Sequence, residues 1–240
     1  MQRRTTVTTL ALTAFLALAG CGTGTGTTPA TSAAPEPSSS PEPSPAKTYT
    51  DADLSSVLAT LKDAQGRPLT VVPAAQIDQG IIKAKELLKT AVFTPPECKA
   101  LSDSNAQVPE DSTYAAGTTV SAEAKTSIVV TVIALKNAQE MADQLEASKN
   151  AVATCSNFTI ELGGQKITTE IQQTDVKTTG DQSFGALGKQ TLATGETQTT
   201  LTMTGIKGTL AATAVKVGPA VTPNDAPELA QLIDTVLAHG

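Results

Sequence analysis

Apolar positions recur along this chain at two spacings, and the change from one to the other divides it. Leu54, Val57, Leu58 and Leu61 fall at i, i+3, i+4 and i+7, which predicts an amphipathic helix capped by Thr50 and stopped by Gly66 and Pro68. Leu69, Val71 and Val72 read as a short strand before Pro73. Ile77, Ile81, Ala84, Leu88 and Ala91 then return to helical spacing, with lysines and Glu86 between them, predicting a second helix from Ala75 to about Thr90. Gly80 inside it carries a penalty of roughly 1 kcal/mol. Thr94-Pro95-Pro96-Glu97-Cys98 breaks the pattern and opens a short helix, because proline is tolerated in a first turn.

Beyond a polar loop at Pro109 to Asp111 the period falls to two. Tyr114 to Ala122 is a weak strand. Ser127 to Leu135 is a strong one, and its unbroken run Ile128 to Ile133 predicts a central position covered on both faces. Asn137 caps the next helix with Glu140 at capping-box spacing; Ala138, Met141, Leu145 and Val152 mark its buried side, and Cys155 lies just past its end. Phe158-Ile160-Leu162 and Ile167-Thr169-Ile171 alternate with polar residues about a Gly163-Gly164 turn. After the Gly180-Asp181 turn come a strand near Phe184 to Leu192 and two more, Thr197 to Ile206 and Leu210 to Val217, joined at Lys207-Gly208. A closing helix starts near Pro223 to Pro227 with Leu229, Leu232, Ile233, Val236 and Leu237 on one stripe. Sequential strands joined by hairpins, with helices before, between and after them, predict one α+β domain, an antiparallel sheet with helices packed on it.

The N-terminus follows neither pattern. Arg3 and Arg4 precede an apolar run from Val7 to Leu18, the arrangement of a secretory signal peptide. Residues 22 to about 47 are Gly-Thr repeats and then Pro, Ser, Ala and Glu, which bury too little apolar surface to offset the entropy of ordering. The expected plan is a signal peptide at 1–20, a disordered tether at 21–47 and a folded domain at 48–240. Composition narrows the function. Apolar residues make up 40% of the chain but aromatic ones only 2%, with no Trp, so the core must be built from Ala, Val, Ile, Leu and Thr. The formal charge is −6, and −8 once Arg3 and Arg4 leave with the signal peptide. An acidic chain with few aromatics is repelled by phosphate backbones and lacks base-stacking platforms, so no nucleic-acid partner is expected.

Leu18-Ala19-Gly20-Cys21 resembles the lipobox of bacterial lipoproteins, in which the thiol is acylated and the preceding bond is cut. The resemblance implies that Cys21 becomes the first residue of a chain held by lipid on the extracytoplasmic face of the cell membrane. With Cys21 assigned to lipid, Cys98 and Cys155 remain, an even pair in an exported chain, and a disulfide between them is the expectation. Two buried free thiols or half of a metal site are the alternatives. The lipobox, the Pro/Ser spacer, the early amphipathic helix, Pro95-Pro96-Glu97-Cys98, the strand-helix unit ending in Cys155, the Gly180-Asp181 turn and the closing helix together resemble the PknH-type extracellular sensor domain family. That family lies outside actinobacterial serine/threonine kinases and in free lipoproteins of the same bacteria. The chain differs in having one cysteine pair and no tryptophan.

Catalytic groups are sparse. The single histidine, His239, is one residue from the C-terminus, where chains fray, so nucleophilic triads and most zinc sites lack their usual ligand. No phosphate-binding Gly-x-x-x-x-Gly-Lys-Ser/Thr sequence occurs, and the glycines at 22–26 have no strand before them. Asn157-Phe158-Thr159 fits a glycosylation sequon but carries no weight beside a bacterial lipobox. Asp175 and Asp181 could act as paired carboxylates on a glycan, although Asp beside Gly is ordinary turn chemistry. Asp103, Glu110 and Asp111 read as a solvated loop without calcium spacing. The expectation is a non-enzymatic, lipid-anchored domain binding an envelope ligand or protein, with Asp181 as a candidate contact and neither cofactor nor metal. A carrier for an apolar molecule such as a lipid is the alternative, and a carboxylate-based glycan-active enzyme is the third.

Overall fold

A computed structural model of the chain describes residues 47–105 and 112–240, so the expected signal peptide, Cys21, the expected tether up to residue 46, Glu110 and Asp111 lie outside the described residues. Nine strands form one antiparallel sheet: β1 (Thr70–Val72), β2 (Val92–Thr94), β3 (Thr113–Ser121), β4 (Thr126–Ala134), β5 (Asn157–Leu162), β6 (Gln165–Gln173), β7 (Gln182–Leu192), β8 (Thr197–Lys207) and β9 (Leu210–Gly218). Their spatial order is β1-β3-β4-β9-β8-β7-β6-β5-β2. Five helices accompany them: α1 (Asp51–Thr60), α2 (Ala74–Thr90), α3 (Lys99–Asn105), α4 (Ala138–Thr154) and α5 (Ala226–Leu237). The α+β antiparallel architecture expected from the sequence is the one observed. None of the described helices is long and apolar enough to cross a membrane.

The caps and turns form where the residues call for them. Thr50 Oγ1 accepts from Asp53 N at 3.2 Å while Asp53 Oδ2 accepts from Thr50 N at 2.9 Å, a reciprocal box that starts α1. Asn137 Oδ1 accepts from Gln139 N at 2.9 Å at the start of α4. The β5–β6 hairpin turns on Gly163 and Gly164 at φ of 58° and 77°, a backbone that side-chain-bearing residues resist.

Because strand side chains alternate, each central strand feeds two cores. On one face α1 and α5 bury Leu54 and Leu58, then Leu229, Ile233 and Leu237, against Val130, Val132, Leu201, Met203 and Ala212. On the other, α4 sets Met141 and Leu145 against Ile133, Ile206 and Ala211. Farther along that second face Leu101, Val152 and Phe158 pack around the bond between Cys98 and Cys155. The two sides are called here the α5 face and the α4 face.

Three details differ from the sequence expectations. β2 has no periodic signature, because three residues are too few to show one; it pairs with β5 at the sheet edge. β4 is covered on both faces only near Ile133, since Val129 and Thr131 stay half-exposed on the α4 face. Helix α2 forms but buries none of its residues. It leads from β1 at one edge to β2 at the other, passing the α4 side with Ile77, Ile81, Ala84 and Leu88 half-buried and with Ile82 and Leu87 51% and 41% exposed. Its stripe tells which side faces the protein but not how closely it docks.

Candidate functional site

The strand register assembles a floor on the α4 face from five neighbouring strands, β7, β8, β9, β4 and β3. Its inner row is Phe184, Thr204, Thr213, Thr131 and Ala116. The middle row is Ala186, Thr202, Val215, Val129 and Thr118, and the outer row Gly188, Thr200, Val217, Ser127 and Val120. Not one of these residues is charged, in a chain that is 17% charged. The α4 and α2 connections start at the inner end of the strands, so the floor is sealed there and open outward. Thr118, Val129, Thr131, Val215, Thr200 and Gly188 are all half-exposed, and Val120 is 64% exposed.

Where α3 and α4 approach the floor, a small cavity of about 40 Å³ remains. Leu101, Val152, Ile171 and Phe184 give it apolar walls; Ala186 and Gly188 lower its base, and Ser148, Thr200, Thr202 and Thr204 complete the lining. Three hydroxyls of the floor have partners. Thr204 and Thr213 pair Oγ1 to Oγ1 at 3.0 Å, and Thr118 Oγ1 donates to Ile128 O at 3.1 Å. Thr202 Oγ1 is buried with no hydrogen-bond partner, as is Thr169 Oγ1 on β6, which does not line the cavity.

A second polar assembly occupies the α5 face. Lys216 Nζ donates to Asp225 Oδ1 at 2.7 Å and Glu228 Oε2 at 2.6 Å, and Glu228 Oε1 accepts from Ala64 N at 2.9 Å. Asp63, its side chain fully enclosed, accepts from Gln65 N, Arg67 N and Arg67 Nε at 3.0, 2.9 and 2.7 Å. Burial opposes the charge on Asp63, but the bonds from Arg67 and Gln65 outweigh it and hold the carboxyl below its ordinary range. Burial likewise opposes the charge on Lys216 and Asp225; their mutual bond, with Glu228 on the lysine and Thr222 on the aspartate, raises the lysine and lowers the acid. These bonds join α5, β9 and the α1–β1 turn, which marks a structural latch. Its sequence signal was Lys216 itself, a lone cation at the parity of Leu210, Ala212 and Ala214.

Cys98 and Cys155 are joined, with Cα atoms 5.5 Å apart, both side chains buried. Asp181 is exposed; its Oδ2 accepts from Gly208 N at 2.9 Å and its N–H donates to Ile206 O at 2.7 Å, tying the 180–181 turn to the β8–β9 hairpin. Asp175 is exposed on the same connection. His239 contributes its carbonyl, which accepts from Lys47 Nζ and from Tyr49 OH, so the start of the described chain is fastened to the end of α5. The sequence reading did not find the floor, because rows across five strands exist only once the register is known.

No protein-family model matches the chain, and no curated protein does. Among solved structures it is similar to the extracellular domain of PknH from Mycobacterium tuberculosis, with a TM-score of 0.51 and 12% identity over 81% of this chain and 99% of that one. An uncharacterized protein of Mycobacterium smegmatis, the Rv0999 ortholog, gives a TM-score of 0.41 and 12% identity over 71% of this chain and 84% of that one. The likeness to the PknH domain is one of fold, and at that level it agrees with the resemblance carried by the sequence motifs.

Proposed function

We propose that this protein is a lipid-anchored, extracytoplasmic, non-enzymatic sensor-like domain that binds its ligand on the uncharged floor of the α4 face. The observation that carries the reading is that floor: fifteen adjoining positions without one charge, nine of them at least partly exposed. Apolar concave surfaces with a few placed polar groups are what ligand sites use. The lipobox at Cys21 and the Pro/Ser spacer support a tethered location, and the PknH-like fold accords with an extracytoplasmic one. The described chain begins at Lys47 beside the C-terminal end of α5, whereas the outer row of the floor lies at the opposite end of the strands. The open end of the site thus lies at the opposite end of the strands from the start of the described chain. A shallow floor with a cavity of about 40 Å³ favours a binding module over a carrier that encloses an acyl chain.

The test is native mass spectrometry of the lipoprotein extracted from its own envelope, as wild type and as the Thr131→Lys/Val215→Lys double variant. Both residues are half-exposed, so lysine ammonium groups can reach water while placing charge on the floor. A co-purifying species lost in the variant, with the thermal unfolding midpoint kept within a few degrees, is the expected result. Equal retention by both proteins would remove the floor from the site.

A further inference from the structure

Of the floor hydroxyls enclosed by the fold, Thr202 is the one left without a partner. Thr204 beside it on β8 pairs with Thr213, and Thr200 on its other side is half-exposed. Leaving a buried hydroxyl unbonded costs about 1–3 kcal/mol, whereas valine has nearly the same shape and no such cost. At 5% exposure, Thr202 therefore spends stability that packing alone does not require. It does so at the wall of a cavity whose other lining groups are neutral and include the half-exposed pair Gly188 and Thr200.

We propose that the cavity receives the hydrogen-bonding end of an uncharged ligand, a hydroxyl or carbonyl oxygen bonded to Thr202 Oγ1, while the ligand's apolar body lies outward over Gly188 and Thr200. The class follows from the lining. A carboxylate, phosphate or ammonium group entering here would lose its water with no counter-charge to meet it, a cost several times that of a neutral group. The size follows from the volume: about 40 Å³ holds a few water-sized groups, which fits the end of a small diffusible molecule rather than a long acyl chain. This inference rests on the assignment of the floor as the ligand site.

The experiment uses the chain from Gly22 onward, which contains every described residue, and three probes of equal length: 1-hexanol, hexanoate and hexylammonium at pH 7. Amide NMR shifts at Ala186, Gly188 and Thr202 are followed to saturation. The expected result is saturable binding of 1-hexanol, with both charged probes at least about tenfold weaker. Thr202→Val should bind 1-hexanol about five- to tenfold more weakly, the loss of one hydrogen bond, and yet unfold at a higher temperature. Thr202→Ser keeps the hydroxyl and should bind within about twofold of wild type. Thr169→Val removes the other orphan hydroxyl and should raise the unfolding temperature with no change in binding. Absence of saturable 1-hexanol binding, charged probes binding as well as 1-hexanol, or undiminished binding by Thr202→Val would each overturn the proposal. If the Thr131→Lys/Val215→Lys protein loses its native ligand while any of these occurs, the floor stands and only the cavity's role falls.

Discussion

Lys216 shows that a side chain's type does not by itself tell which face of a strand it occupies. A lysine between Val215 and Val217 looks like the wet side of a strand, but its parity is that of Ala212 and Ala214 on the α5 face. There it is 12% exposed and held by Asp225 and Glu228. The latch has a definite pH dependence. Asp225 sits below its ordinary 3.8, so its contribution is complete above that value and lost as pH falls through the lower folded one. Lys216 sits above its ordinary 10.5, so its contribution is complete below that value and lost as pH rises through the higher folded one. Asp225→Asn should therefore cost about 1–2 kcal/mol between roughly pH 5 and 10 and progressively less outside that window. Urea unfolding of both proteins across pH measures it, and a difference independent of pH would show that the pair is not the source. Asp181, by contrast, does in the fold what Gly-Asp turns ordinarily do: it accepts a backbone N–H, here from Gly208.

At the scale of elements, the disulfide decides how firmly the weakest pieces are held. β2 has three residues, α3 seven, and α2 no buried residue. All three gather around the Cys98 to Cys155 bond, which fastens the turn at Pro96–Cys98 to the end of α4 across 57 residues of chain. A closed loop of that length constrains the unfolded chain by about 4 kcal/mol. Cys98→Ser/Cys155→Ser should lose about that much stability, read as a lower urea midpoint, and wild type under reductant should match it. Amide exchange should then speed up first in β2, α3 and the C-terminal half of α2, leaving β4, β8 and β9 protected. Uniform acceleration across the sheet would mean that the bond supports the whole core. Sequence periodicity identified α1, α4 and α5, each of which buries a stripe against the sheet, and α2 as well, whose stripe does not report that it docks only shallowly.

For the molecule as a whole, the two ends of the strands have different tasks. At one end Lys47 and Tyr49 hold the start of the described chain to the carbonyl of His239, and Lys207 Nζ lies 3.3 Å from Leu237 O and from Gly240 O. Cations there favour the C-terminal end of α5. At the other end the floor opens. In the proposed anchored state, the intact mass of the mature protein should correspond to an acylated chain beginning at Cys21, and Cys21→Ala should keep residues 1–20 attached and carry no acyl mass. A wild-type chain that retains residues 1–20 would overturn the anchor. The sequence by itself determined the fold class, most element positions and the poverty of catalytic groups, because period, turn residues and composition are properties of neighbours along the chain, and the structure settled the Cys98–Cys155 pairing that it left open. The tertiary structure alone decided where the functional surface lies. Thr202 is an ordinary strand residue until Ala186, Val215, Val129 and Thr118 are set beside it. Those contacts join positions up to 86 residues apart, Val129 and Val215, through hydrogen-bond register that no local pattern encodes.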